Sequence, residues 1–345
     1  GSSCSTTCTS NRAAACLAVT PSAARCCNMS SSASHAFSKR QTSVEEKYSR
    51  PVITDEGLQI FQSDPNNASL GLTWGSVLWP SGTCLAKYLA WRAAQCSAGD
   101  DDDGSNGQRL DLCNSRVLEL GCGTGVVGLT CAKLGAEHVT LTDSESSLWP
   151  LLRRSIAANS ISDDRVSIHG LDWKDVSTFL DPTVSANRYD LVLAADVLYA
   201  GMDGLFARVL ASHLPCMDEA KGMQSKPTEA IIACPFRTDS PLLNFFGIAH
   251  RLGLALYRLE DVDGNAVGAA GGSDPHEAFT DSEFKPIGVG EDNGQVTSCR
   301  WESIAQGPSF SSHNHDKVQI FRIRRVEGTA KDAREIRRVG RLHNM

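Results

Sequence analysis

"ELGCGTGVVG", Glu119 to Gly128, decides the fold and leaves the ligand open. The residues before it, Val117 to Leu120, form a short apolar run, and those after it, to Leu134, have helical period. The glycines therefore stand in a strand-to-helix turn, where they let the backbone come close to a cofactor while the helix start offers N–H groups without intrahelical partners. Two fingerprints overlap here. Gly121, Gly123 and Gly125 form a GxGxG run led by Glu119, whereas Gly123, Gly125 and Gly128 satisfy the GxGxxG spacing of dinucleotide sites.

Working outward, strands and helices alternate from Arg116. Strand readings fall at Val117 to Leu120, Val139 to Asp143, Val166 to Leu171, Tyr189 to Ala195, Ala230 to Cys234 and Leu254 to Glu260, with helices reaching Leu134 and Asn159. This rhythm is that of an α/β doubly wound sheet. "KVQIFRIRRV" supplies a seventh strand, set apart from the sixth by a polar, glycine-rich insertion of about 263–316. Upstream, Pro51 to Asp64 reads as a hairpin and the stretch that follows Trp79 as a helix with Ser81 at its N-cap, Leu85, Tyr88 and Leu89 on one face, and an end near Cys96.

The residues at the strand ends narrow the ligand. Asp143 closes the second strand, where an acid accepts the ribose hydroxyls of an adenosine cofactor, NAD or S-adenosylmethionine alike. NAD brings an anionic pyrophosphate to the helix start; S-adenosylmethionine brings a sulfonium cation. Glu119, expected as an acid at the mouth of the first strand, favours the cation. In "LDWKD", Asp172 and Trp173 are placed to bracket an adenine, and "AADVLY" puts Asp196 and Tyr199 at the end of the fourth strand, beside the first at the switch point where ligands lie.

Together, "WGSVLWPSGTCLAKYL", "VLELGCGTGVVGL", "VTLTD", "LDW" and "YDLVLAADVLY" resemble the family 16 seven-strand protein-lysine methyltransferases, the methyltransferase-like 21 group and its relatives. The resemblance runs from about residue 70 to 261 and includes the last strand. It implies a Rossmann-like sheet ordered 3-2-1-4-5-7-6 with an antiparallel last strand. It implies S-adenosylmethionine held by Trp79, Glu119, Gly121, Cys122, Gly123, Asp143, Trp173 and Ala195, with Asp196 and Tyr199 as the catalytic pair lining a lysine channel. The implied partner is a protein substrate such as a chaperone or elongation factor. "CPFRTDSPLL" and the insertion lie outside the common pattern and are expected to select that substrate. Other acceptors, namely arginine, histidine or a small molecule, share everything but the acceptor pocket; an NAD-dependent oxidoreductase and a pseudoenzyme are the remaining alternatives.

Composition sets the outer limits. The chain of 345 residues carries a formal charge of −7 and a pI near 5.7, which excludes a general grip on nucleic acid. No apolar run reaches membrane-spanning length, and a monomer in the cytoplasm is expected. The 13 cysteines show no paired CxxC spacing, so no metal is expected and they read as small buried hydrophobes of a reducing compartment. Cys122 reads as a filler that lends its backbone to the loop. The successive aspartates of "GDDDDGSNG" lack the spaced ligands of a calcium loop. Residues 1–50 form a tail: to position 44 there are 11 serines, 5 cysteines and 4 basic residues but no acid, which suits disorder, an organellar transit segment or, through "GSSCS", lipidation. The methyltransferase domain spans 51–326, and 327–345 form a basic tail.

Overall fold

A computed structural model of the chain describes residues 50–64, 74–97, 112–175, 177, 189–199, 201–214, 228–235, 239–260, 283–287, 289–292, 295–299 and 318–325. These all belong to one compact unit, 46–345. The tail readings for 1–44 and 327–345, and the aspartate run, lie outside the described residues.

The hairpin expected at the start of the domain is present, with β1 (Val52–Ile53) antiparallel to β2 (Gln59–Ile60). Helix α1 spans Pro80–Ser97. Pro80 opens it, where a missing N–H costs nothing and φ is already helical. Ser81 is fully buried inside the first turn and its hydroxyl finds no partner, so the N-cap reading of Ser81 is corrected; the Trp79 carbonyl instead accepts the N–H of Gly82 at 3.1 Å. Leu85, Tyr88 and Leu89 face the core as their spacing requires.

The main sheet follows: β3 (Arg116–Leu120), β4 (His138–Asp143), β5 (Val166–Gly170), β6 (Leu191–Ala195), β7 (Glu229–Pro235), β8 (Leu254–Glu260), β9 (Glu283–Pro286) and β12 (Val318–Arg325), in the spatial order β5-β4-β3-β6-β7-β12-β8-β9. A separate antiparallel pair, β10 (Val289–Asp292) and β11 (Gln295–Cys299), lies in the insertion. Strands β3 to β7 are parallel, and β12 runs antiparallel between β7 and β8. The expected seven-strand order is thus present, extended by β9, which pairs with β8 from Tyr257↔Pro286 to Glu260↔Glu283. The insertion is therefore not wholly outside the sheet. Pro286 is tolerated because an edge strand has a side that needs no ladder N–H.

Both faces of the sheet are covered, so its central strands read as nearly unbroken apolar runs. On one face Val117, Leu141 and Leu193 pack with Leu85 and Leu89 of α1, α2 (Val126–Lys133) and α3 (Trp149–Ala158). On the other, Leu118, Val192 and Ile232 pack with Phe206 of α4 (Asp203–His213) and Phe245 of α5 (Asp239–Arg251). The chain leaves β3 for α2 on one face and β6 for α4 on the other, which opens a crevice between the carboxyl ends of two adjacent strands.

Candidate active site

That crevice is a cleft of about 590 Å³. All ten residues singled out from the sequence line it: Trp79 at the start of α1, Glu119 of β3, Gly121, Cys122 and Gly123 of the loop, Asp143 of β4, Trp173 after β5, Ala195 of β6, and Asp196 with Tyr199 beyond it. Trp74, Gly75, Glu145 and Asp172 also line it. The acids of the lining are Glu119, Asp143, Glu145, Asp172 and Asp196; among the described residues it holds no Lys, Arg or His.

The glycine loop is held by its own neighbours. The N–H of Cys122 donates to the Thr142 carbonyl at 2.8 Å, that of Gly123 to Asp143 Oδ2 at 2.9 Å and that of Gly125 to the Cys122 carbonyl at 2.7 Å. Asp143 also accepts the Glu145 N–H on Oδ1 at 3.1 Å. Each of its oxygens keeps a further acceptor site, which suits a pair of hydroxyls. Burial pushes the Asp143 carboxyl above its ordinary range, while these backbone donors pull it back.

Glu119 stands elsewhere than expected. It shares the sheet face of Val117, is 1% exposed and accepts the N–H of Gly128 on Oε2 at 2.8 Å. Burial, against that one donor, pushes its carboxyl from 4.5 up to about 8. The reading of Glu119 as a carboxylate at the mouth is corrected: it lies beneath α2 and is largely protonated at neutral pH. Gly128 explains why α2 can sit so low, since a Cβ there would meet Leu141 and come within 2.6 Å of Glu119 Oε2. This glycine therefore serves helix-to-strand packing and does not choose between the two fingerprints.

Cys122 is buried, and desolvation holds its thiol well above its ordinary value, which disfavours the thiolate a nucleophile needs. Trp173 is 8% exposed, its ring 5.2 Å from that of Phe206 and its edge against Gly121, which makes it the floor of the cleft more than a wall. Asp172 Oδ1 accepts the Lys174 N–H at 2.9 Å and shapes the turn after β5. Asp196 takes a left-handed conformation, φ 59, with its N–H donated to the Ala233 carbonyl at 2.9 Å. A non-glycine residue held there costs free energy, and aspartate is among the side chains that tolerate it best. Tyr199 is 56% exposed at the rim; partial burial, then the charge of Asp143, raises its phenol above the ordinary value.

The sequence reading missed Trp74 and Gly75. The short 3-10 turn Trp74–Ser76 brings Gly75 against the loop, its Cα position 3.4 Å from where a Gly123 Cβ would stand. The Trp74 carbonyl accepts the Trp79 indole N–H at 3.0 Å. The signal was available in the glycine after Trp74, which permits such a close approach.

A family model described as lysine methyltransferase matches residues 54–220, the segment that builds nearly all of this cleft. In this segment, just under half of the chain, the sequence is similar to the lysine methyltransferases. Among the most similar curated relatives, EEF1A lysine methyltransferase 3 of Xenopus tropicalis is 38% identical over 92 residues, 27% of this chain and 38% of its own length. Protein N-lysine methyltransferase METTL21A of the same species is 33% identical over 127 residues, 36% and 47% of the two chains. Histone-arginine methyltransferase METTL23 of Xenopus laevis is 32% identical over 152 residues, 42% and 56%. The chain thus spans roughly half or less of the length of these relatives. The cleft lies where the matched segment ends β3, β4 and β6.

Proposed function

We propose that this protein is an S-adenosylmethionine-dependent methyltransferase that modifies lysine side chains of other proteins. One observation carries the reading: the glycine loop opens onto a cleft lined, among the described residues, by acids and no base, and its own N–H groups at Cys122, Gly123 and Gly125 are already engaged within the protein. A pyrophosphate would find neither a counter-charge nor those donors there. A ligand with a sulfonium and an ammonium group is suited to such a lining.

In this reading Asp143 takes the ribose, and Trp79, Gly121, Cys122, Gly123, Trp173 and Ala195 shape the pocket around the adenosine and the methionine. When bound, S-adenosylmethionine supplies a methyl carbon that a neutral amine can attack, the N–C bond forming as the S–C bond breaks. A lysine amine with pKa near 10.4 is almost wholly protonated at neutral pH, so the acceptor must lose a proton first. The proton passes to solvent, and Asp196 holds the amine and orients its lone pair toward the methyl carbon. Tyr199 gives an aromatic face to the cationic head. Alignment supplies much of the acceleration.

The acceptor is a protein, with elongation-factor proteins of the EEF1A kind, named for one relative, among the first to test. An arginine acceptor is the second reading, favoured by the match to the histone-arginine enzyme. Calorimetry with S-adenosylmethionine and with NADH tests the cofactor, and Asp143→Ala should weaken binding by roughly 1.5–3 kcal/mol through lost charged hydrogen bonds. Unchanged affinity in that variant removes the ribose assignment. Radiolabelled methyl transfer, followed by mass spectrometry of the labelled residue, tests the acceptor; label on arginine alone selects the second reading.

A further inference from the structure

Among the described residues three large apolar side chains are exposed, Ile53, Trp74 and Tyr199, and two of the three stand on the lining of the same cleft. Trp74 is 62% exposed, more than Tyr199, yet its backbone is tied down. Its carbonyl accepts the Trp79 indole N–H and the Val77 N–H at 3.3 Å, Ser76 exchanges hydrogen bonds with Ser63 on the other side, and Gly75 abuts the glycine loop. Its ring centroid lies 6.1 Å from that of Trp79, tilted by 47°. An indole kept in water on a pinned turn is a prepared face rather than a stray surface residue. The lining, acidic and without a base among the described residues, tells what that face would meet.

Resting on the lysine methyltransferase reading above, we infer that Trp74 is a specificity-determining residue that takes the cationic side chain of the acceptor as it enters the cleft. Tyr199, reached from β6, offers the second aromatic face. The indole is the strongest of the aromatic faces for a cation, and it attracts lysine before and after each methylation, since the nitrogen stays cationic. Trp79, half-buried behind it, is left to the cofactor.

The test uses the full chain with radiolabelled S-adenosylmethionine and an array of peptides, each with a single lysine in varied flanks; the best acceptor peptide is then titrated. Trp74→Ala and Trp74→Leu should each lower kcat/KM for that peptide by about 3–30-fold, chiefly through KM, while Trp74→Phe keeps most of the activity. Calorimetric affinity for S-adenosylhomocysteine should stay within about 2-fold in all three, as expected of a side chain that does not touch the cofactor. Three outcomes overturn the inference: unchanged peptide kinetics in Trp74→Ala, a loss confined to cofactor affinity, or Leu serving as well as Phe, which would leave only apolar contact. If the wild-type chain labels no lysine on any peptide, the functional reading itself fails and this inference falls with it.

Discussion

The carbonyl oxygen of Gly75 stands 2.8 Å from where a Cβ on Gly123 would sit, so the turn that carries Trp74 and the cofactor loop are in backbone contact. Gly123 also has φ +51, a left-handed conformation that costs other residues about 1–2 kcal/mol. Gly123→Ala meets both penalties, and its obstacle is backbone that cannot swing aside. Gly75→Ala meets at close range the tip of Leu148, at 2.9 Å, which can rotate, and otherwise makes ordinary contacts with Gly123 Cα at 3.4 Å and Asp143 Oδ2 at 3.9 Å. Cofactor affinity should therefore fall by more than about 10-fold in Gly123→Ala and much less in Gly75→Ala. Equal affinities by calorimetry would mean that the two segments do not constrain one another.

Glu119 gives a pH signature of stability. Its folded value of about 8 lies above its unfolded value near 4.5, so between these limits the native state holds a proton that the unfolded chain has lost. Stability then falls as pH rises across that window, and the contribution is fully present only below its lower end. Glu119→Gln keeps an oxygen for the Gly128 N–H and removes the titration. Denaturant unfolding at pH 5.5 and pH 8 should show wild type losing stability at the higher pH, with the loss smaller in the variant. An identical pH slope in both would place the titration elsewhere.

Glu119 also shows where sequence reading stops. The GxGxG spacing, the acid ending β4 and the Asp196 to Tyr199 interval were legible because each is tied to a strand end, and a parallel sheet gathers strand ends at one edge. The orientation of Glu119 needed one more step: it is two residues after Val117, hence on the same face, under α2. Trp173 likewise reads as a cleft residue by position but as a core residue by packing, because α4 places Phe206 against it. Trp74 and Gly75 were hidden because their approach to the loop is long-range contact, carried by no periodicity of their own.

The edge strand β9 was hidden for a different reason: it is short and lies within a glycine-rich segment. Its anchor is Ile287, buried against the α5 side of the sheet, with its N–H donated to the Leu256 carbonyl at 2.9 Å. Ile287→Ala should cost about 2–5 kcal/mol if that site cannot collapse, read as a shift in the denaturant midpoint. A deletion from 263 to 316 should destabilise the domain further by baring the edge of β8. If the deleted chain unfolds at the wild-type midpoint, β9 contributes nothing to the sheet.

Asp196 carries the chemistry in the proposed reaction, and its left-handed backbone shapes how it must be tested. Asp196→Ala removes the carboxylate and also places alanine where φ is 59, so lost activity alone could reflect a displaced chain. Asparagine tolerates that conformation and nearly matches the shape, which makes Asp196→Asn the sharper variant. Both should abolish methyl transfer to the identified acceptor in single-turnover measurements, while S-adenosylmethionine affinity stays within about 3-fold, because the carboxylate is assigned to the amine and not to the cofactor. Tyr199→Phe keeps the aromatic face and should lose little. Tyr199→Ala loses the face and should fall by about 2–5-fold or more, the range expected for a cation held against a partly exposed ring. An active Asp196→Asn enzyme, or one that is inactive only because it no longer binds the cofactor, would move the amine-holding role to another acid of the lining, where Glu145 and Asp172 are the next to replace.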